Sequence, residues 1–257
     1  MKRVIATGAA AALILAVSGC GSGSGMPGTG SASTSTLTVF AAASLKNTFT
    51  TLGQQFEASH PGTKVTLNFA GSSDLVTQLQ QGAPADVFAS ADTKNMGKAT
   101  GDNLVDGTPV VFASNTLEIA VPPDNPADVA SFQDLTKSGV KVVVCAPAVP
   151  CGSATDKIEA ATGITLKPVS EESAVTDVLN KVQTGEADAG LVYVTDVKGA
   201  GDKVKGIPFP ESKEAVNEYP IAALTASENK DLAKQFTELV TGPEGRAVLA
   251  DAGFAKP

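Results

Sequence analysis

Between residues 37 and 193 the chain alternates short apolar runs with amphipathic ones, and this constrains the fold class most tightly. Residues 37–43, 64–69, 86–89, 117–121, 141–145 and 189–193 read as strands. Residues 72–81, 152–161 and 172–184 read as helices, as does a segment beginning near Ser44 with Leu45, Phe49, Leu52 and Phe56 on one face. Val175, Val178, Leu179 and Val182 make a second such stripe. This order predicts parallel sheets covered by helices. Right-handed crossovers then bring the loops after the strands to one edge, where such folds hold ligands. After Tyr193 the alternation breaks. One more strand (219–224) and two helices (230–240 and 243–249) follow, compatible with two lobes whose last segment returns to the first.

The N-terminus reads as a sorting segment. Lys2 and Arg3 precede an apolar run, residues 4–17, that is short for a membrane span. Val17-Ser18-Gly19-Cys20 resembles a lipobox, which implies cleavage before Cys20 and a lipid anchor on its sulfur. Residues 1–19 are thus expected to be a lipoprotein signal peptide. Residues 20–36, nearly all Gly, Ser, Thr and Ala after the anchor cysteine, are expected to be a flexible linker. The glycine pattern at residues 23–28 has no strand before it and no helix after it, so a dinucleotide site is not expected there. Loss of Lys2 and Arg3 takes the net charge from −8 to −10. No basic patch is present, which argues against nucleic acid. A net negative protein also attracts no anion from afar, so any anion it binds must be held by local dipoles.

Those dipoles have candidate positions. Residues 40–45 run from a strand through three alanines into a helix at Ser44, and Ser72 opens another helix after Gly71. A helix N-terminus carries unpaired N–H groups and partial positive charge, and small residues let a ligand approach it. Ser72 suits a plain N-cap equally well, and the two roles are compatible. Cys145 and Cys151 are either bridged or a buried thiol and a separate loop thiol; their spacing lacks partners for zinc. His60, the single histidine, sits in a turn-like Ser-His-Pro-Gly, and no Gly-x-Ser-x-Gly elbow is present, so an enzyme is not expected. The acidic pairs Glu171-Glu172 and Asp86/Asp92 read as a helix start and a solvated turn.

Four motifs stand in order: Phe40-Ala41-Ala42-Ala43-Ser44-Leu45, Ala70-Gly71-Ser72-Ser73-Asp74-Leu75, residues 82–92 (Gly-Ala-Pro-Ala-Asp-Val-Phe-Ala-Ser-Ala-Asp) and residues 185–193 (Gly-Glu-Ala-Asp-Ala-Gly-Leu-Val-Tyr). With Glu218-Tyr219-Pro220 and Gly242-Pro243-Glu244-Gly245, the set resembles the molybdate-binding proteins of ABC importers over residues 37–254. The resemblance implies an α/β, two-lobe type II periplasmic-binding-protein fold, with residues 37–117 and 222–257 in lobe 1 and 118–221 in lobe 2. It implies a molybdate or tungstate oxyanion as ligand and no cofactor. The partners it implies are a permease and its ATPase subunit, for a monomer tethered outside the cell membrane. It also implies the ligand contacts: hydroxyl and backbone N–H of Ser44 and Ser72, backbone N–H of Cys151 and Val175, and the Tyr193 hydroxyl. Cys151 stands where the family usually has a small residue such as alanine. Tyr219 is expected in a strand outside the cage, its hydroxyl dispensable. These contacts only donate, which suits a fully deprotonated oxyanion and disfavours phosphate, which keeps a proton at neutral pH. The alternatives are sulfate or another tetrahedral oxyanion and, more remotely, ferric iron held by tyrosines. Against iron stands the separation of Tyr193 and Tyr219 by 26 positions in the chain.

Overall fold

The computed structural model describes residues 34–257; the expected signal peptide, the expected anchor at Cys20 and most of the expected linker lie outside the described residues. The expected linker end at residue 36 is corrected. The first strand, β1, already starts at Ser35, which pairs with Thr63.

The first half of the chain runs β1 (Ser35–Ala42), α1 (Lys46–Ser59), β2 (Thr63–Ala70), α2 (Ser72–Gln80), β3 (Val87–Ala89), α3 (Thr93–Gly101), β4 (Val110–Asn115), β5 (Leu117–Val121) and β6 (Val142–Cys145). The second half runs α4 (Pro150–Thr162), β7 (Ser170–Glu172), α5 (Val175–Gln183), β8 (Ala189–Tyr193), α6 (Val194–Ala200), β9 (Lys205–Ile207), β10 (Asn217–Ala223), α7 (Lys230–Thr241) and α8 (Pro243–Ala252). Two five-stranded sheets result, ordered β2-β1-β3-β10-β4 and β7-β6-β8-β5-β9. In each sheet four strands share one direction, and one strand, β10 or β5, runs against them. These are the mostly parallel, helix-covered sheets that the alternation predicts, in the two lobes that the resemblance implies.

Each sheet buries both faces, which explains the near-continuous apolar runs. In lobe 1, Phe49, Leu52 and Phe56 of α1 pack with Phe236 of α7 on one face of β1, and Leu75 and Met96 from α2 and α3 cover the other. Burial of each such side chain contributes roughly 1.5–3 kcal/mol. The core of lobe 2 gathers Val142 to Val144, Leu191, Val192 and the α5 stripe, and includes Tyr193 at the end of β8.

The chain crosses between sheets at Thr116 and again before Asn217. The expected return between residues 221 and 222 is therefore corrected, because β10 has already joined the first sheet five residues earlier. Asn115 and Asn217 pair across this double crossing. The helix expected from residue 172 is corrected as well. Ser170–Glu172 form an edge strand on β6, and the helix begins at Val175. Nor is Asp86 solvated. Its buried carboxylate accepts from the Thr38 N–H at 2.7 Å and the Ser227 hydroxyl at 2.6 Å, tying β3 to β1 and to the start of the C-terminal helices. Asp92 is likewise buried and caps α3 by accepting from the Asn95 N–H.

Candidate functional site

The strand-to-helix junctions of both lobes converge. Ser44 lies in a single 3-10 turn, Ala43–Leu45, that links β1 to α1. Ser72 is the first residue of α2 after Gly71; Cys151 is the second residue of α4, after Pro150; Val175 is the first residue of α5. Tyr193 ends β8. These five, with Gly71, line one small pocket between the lobes. All five residues expected at the site are thus brought together.

Local sequence explains the convergence. Extended backbone at Gly71, Val149 and Ala174 turns each chain abruptly into its helix, and Pro150 presets the first turn of α4. No side chain caps α2, α4 or α5. The starts of these three helices line the cavity, and a helix N-terminus carries free N–H groups and partial positive charge. Among the described residues no charged side chain lines the cavity.

The hydroxyls are arranged to donate. Ser72 Oγ accepts from the Ala91 N–H at 3.0 Å, which leaves its own hydrogen for another partner. Tyr193 is buried, and its hydroxyl is the one buried side-chain polar atom without a hydrogen-bond partner among the described residues. Burial, reinforced by the neighbouring Tyr219, Asp196 and Asp92, holds this phenol well above its usual range, so it stays protonated. A buried unpaired donor is costly unless a ligand completes it.

Cys145 and Cys151 are bridged, with Cα atoms 5.6 Å apart. The bridge ties the end of β6 to the first turn of α4, one of the cavity's walls. The loop between them is tight enough that a β-carbon on Gly152 would fall 2.0 Å from the Ala146 carbonyl oxygen.

Behind the cavity lie residues that sequence reasoning missed. Tyr219 is fully buried on β10, and its hydroxyl is 3.1 Å from Ser44 Oγ. It lies outside the cavity lining, as expected, and its hydroxyl contacts a residue of that lining, Ser44. Its ring meets that of Tyr193 edge-on, 6.0 Å between centroids. Separation along the chain was therefore no guide to separation in space. Asp196, at the start of α6, accepts from the Tyr193 N–H at 2.9 Å and fixes the end of β8. Burial pushes its carboxyl up to about 7, partly offset by that hydrogen bond. Asn217 donates to Ala91 O of lobe 1 at 2.9 Å and to Pro150 O of lobe 2 at 3.4 Å, spanning the cleft.

A larger groove, lined by Lys46, Lys198 and Lys203 among others, adjoins the far side of Ser44. These lysines are exposed, so the smaller pocket, ringed by helix starts and hydroxyls, is the better place for an anion held by fixed donors.

The family model described as bacterial extracellular solute-binding protein matches residues 37–255. The chain belongs to that family. This solute-binding protein is 56% identical over 219 residues to the molybdate-binding protein ModA of Mycobacterium tuberculosis, covering 85% of this chain and 84% of the relative. It is 32% identical to the ModA of Escherichia coli, covering 84% and 87%. The periplasmic molybdate-binding protein of Azotobacter vinelandii superimposes with a TM-score of 0.75 at 23% identity, over 86% of this chain and 99% of that one, which shows the shared type II periplasmic-binding-protein fold. The solute-binding protein's fold places the cavity at the strand ends, the edge where α/β sheets hold ligands.

Proposed function

We propose that the chain binds molybdate, and tungstate with it, outside the cytoplasm and delivers it to the permease and ATPase subunits of an ABC importer. It carries out no chemical step, acts as a monomer and is tethered through a lipid on Cys20. The observation that carries the reading is the unpartnered Tyr193 hydroxyl at a cavity whose other polar groups are the Ser44 and Ser72 hydroxyls and the N-termini of α2, α4 and α5. Such a cage supplies donors and no acceptor carboxylate, which suits a dianion with no proton of its own. The named relatives support molybdate as that dianion. Ferric iron fits poorly. Among the described residues no cluster of His, Cys, Asp or Glu could hold a metal ion, and the Tyr219 hydroxyl is engaged with Ser44.

Thermal melting of the mature domain with molybdate, tungstate, sulfate and phosphate tests the reading. A ligand at a hundred times its Kd adds about 2.7 kcal/mol, or roughly 5–10 °C for a domain of this size. Molybdate and tungstate are expected to give the large shifts. A larger shift with sulfate would replace molybdate by sulfate as the cargo.

A further inference from the structure

The contact between Ser44 and Tyr219 joins two hydroxyls, either of which could donate. Ser44 Oγ, 3.1 Å away, is the hydrogen-bond partner found for the Tyr219 hydroxyl. The neighbouring Asn115 amide makes its own hydrogen bonds elsewhere: its Oδ1 accepts from the Thr116 N–H at 3.0 Å and its Nδ2 donates to Thr195 Oγ1 at 2.8 Å. With the phenol as donor, its proton goes to Ser44 Oγ. Burial keeps that proton in place. The Ser44 hydrogen is then left to turn into the cavity. Ser72 shows the same arrangement by other means, its oxygen occupied from behind by the Ala91 N–H.

We propose that Tyr219 is a positioning residue for the bound oxyanion: by donating to Ser44 Oγ from behind the cavity wall, it commits the Ser44 hydroxyl to donate into the cage. The inference rests on the oxyanion reading above. A serine hydroxyl both donates and accepts. With its oxygen occupied it serves the ligand as a donor, and the incoming hydrogen bond polarises its O–H and strengthens that donation. Tyr219 itself does not line the cavity, so its whole effect on the anion passes through Ser44.

A double-mutant cycle read by calorimetric titration with molybdate tests this. Tyr219→Phe keeps the ring that packs against Phe112, Tyr193 and Phe254. It is expected to weaken binding roughly three- to tenfold, and Ser44→Ala about ten- to a hundredfold. The double variant should bind no more weakly than Ser44→Ala alone, because Tyr219 then has nothing to orient. A merely structural role would instead carry the full Tyr219→Phe loss into the Ser44→Ala background, and that result overturns the inference. Wild-type affinity in Tyr219→Phe also overturns it while leaving the oxyanion reading intact. A wild-type protein that binds no molybdate overturns both.

Discussion

A β-carbon added to Gly71 would lie 2.1 Å from the carbonyl oxygen of Ser173, in the opposite lobe. Gly71 has φ −59°, an ordinary value for any residue, so the backbone itself does not require glycine. What requires it is the approach of the two lobes across the cavity mouth. Gly71→Ala is therefore expected to fold normally but to be unable to close. Molybdate affinity should fall by more than about tenfold, with ligand-free melting little changed. Titration and melting of the one variant check both halves.

Tyr193→Phe should separate binding from stability. It deletes a buried hydroxyl that has no partner without ligand, so ligand-free stability should hold or rise. The same change removes a donor to a charged acceptor, worth about 1.5–3 kcal/mol, and binding should weaken about ten- to a hundredfold. Ser72→Ala should weaken binding similarly and also cost stability, because the Ala91 N–H loses its acceptor. Parallel loss of stability in Tyr193→Phe would mean that its hydroxyl is satisfied within the protein.

The Cys145–Cys151 bridge closes a loop with a sequence separation of only 6. On the chain-entropy view so short a loop contributes only about 2 kcal/mol to stability. Its larger effect should be on binding, since it pins the first turn of α4 at the cavity. Reductant should weaken molybdate binding more than it lowers the melting temperature. Thiol counting on the unfolded, unreduced domain lacking Cys20 should find none; two titratable thiols would remove the premise.

Asp196 gives the protein a pH dependence of definite sign. Its carboxyl is raised by burial from the usual 3.8 to about 7. Between those values the folded state holds a proton that the unfolded state has released, so this group's stabilising contribution is lost as pH rises from about 4 to about 7. Asp196→Asn removes that titration and keeps an acceptor for the Tyr193 N–H. The variant should be clearly more stable than wild type at pH 8, with the difference shrinking toward pH 4. A pH-independent difference would contradict the assignment.

What could be read from the sequence follows from how local each signal is. Strands buried on both faces, such as Ala189–Tyr193, appear as continuous apolar runs with the observed ends, and Leu117–Val121 does so but for Glu118. Ser170–Glu172 was hidden because it is a polar edge strand paired only to β6, whose residues continue without a break into the turn before α5. The helix α3 was hidden for a related reason: its buried contacts are Asn95, Met96 and Ala99, too few apolar side chains to form a stripe. The cavity's five expected residues came from the family resemblance; Ser44, Ser72 and Tyr193 stand within its short motifs, whereas Cys151 and Val175 stand outside them, each at the start of a helix. The contact of Tyr219 was not legible, because it meets Ser44 across 175 positions, through pairing of β10 with β3 that no local pattern announces. Gly71 was in plain view beside Ser72, but the Ser173 carbonyl that makes it necessary belongs to the other lobe.

The most direct test of the central claim is calorimetric titration of the mature domain with molybdate and, separately, with sulfate at equal ionic strength. A donor-only cage closed around one oxyanion predicts a single site per chain, with molybdate bound far more tightly than sulfate. No molybdate heat, or sulfate bound as tightly or more so, would contradict it.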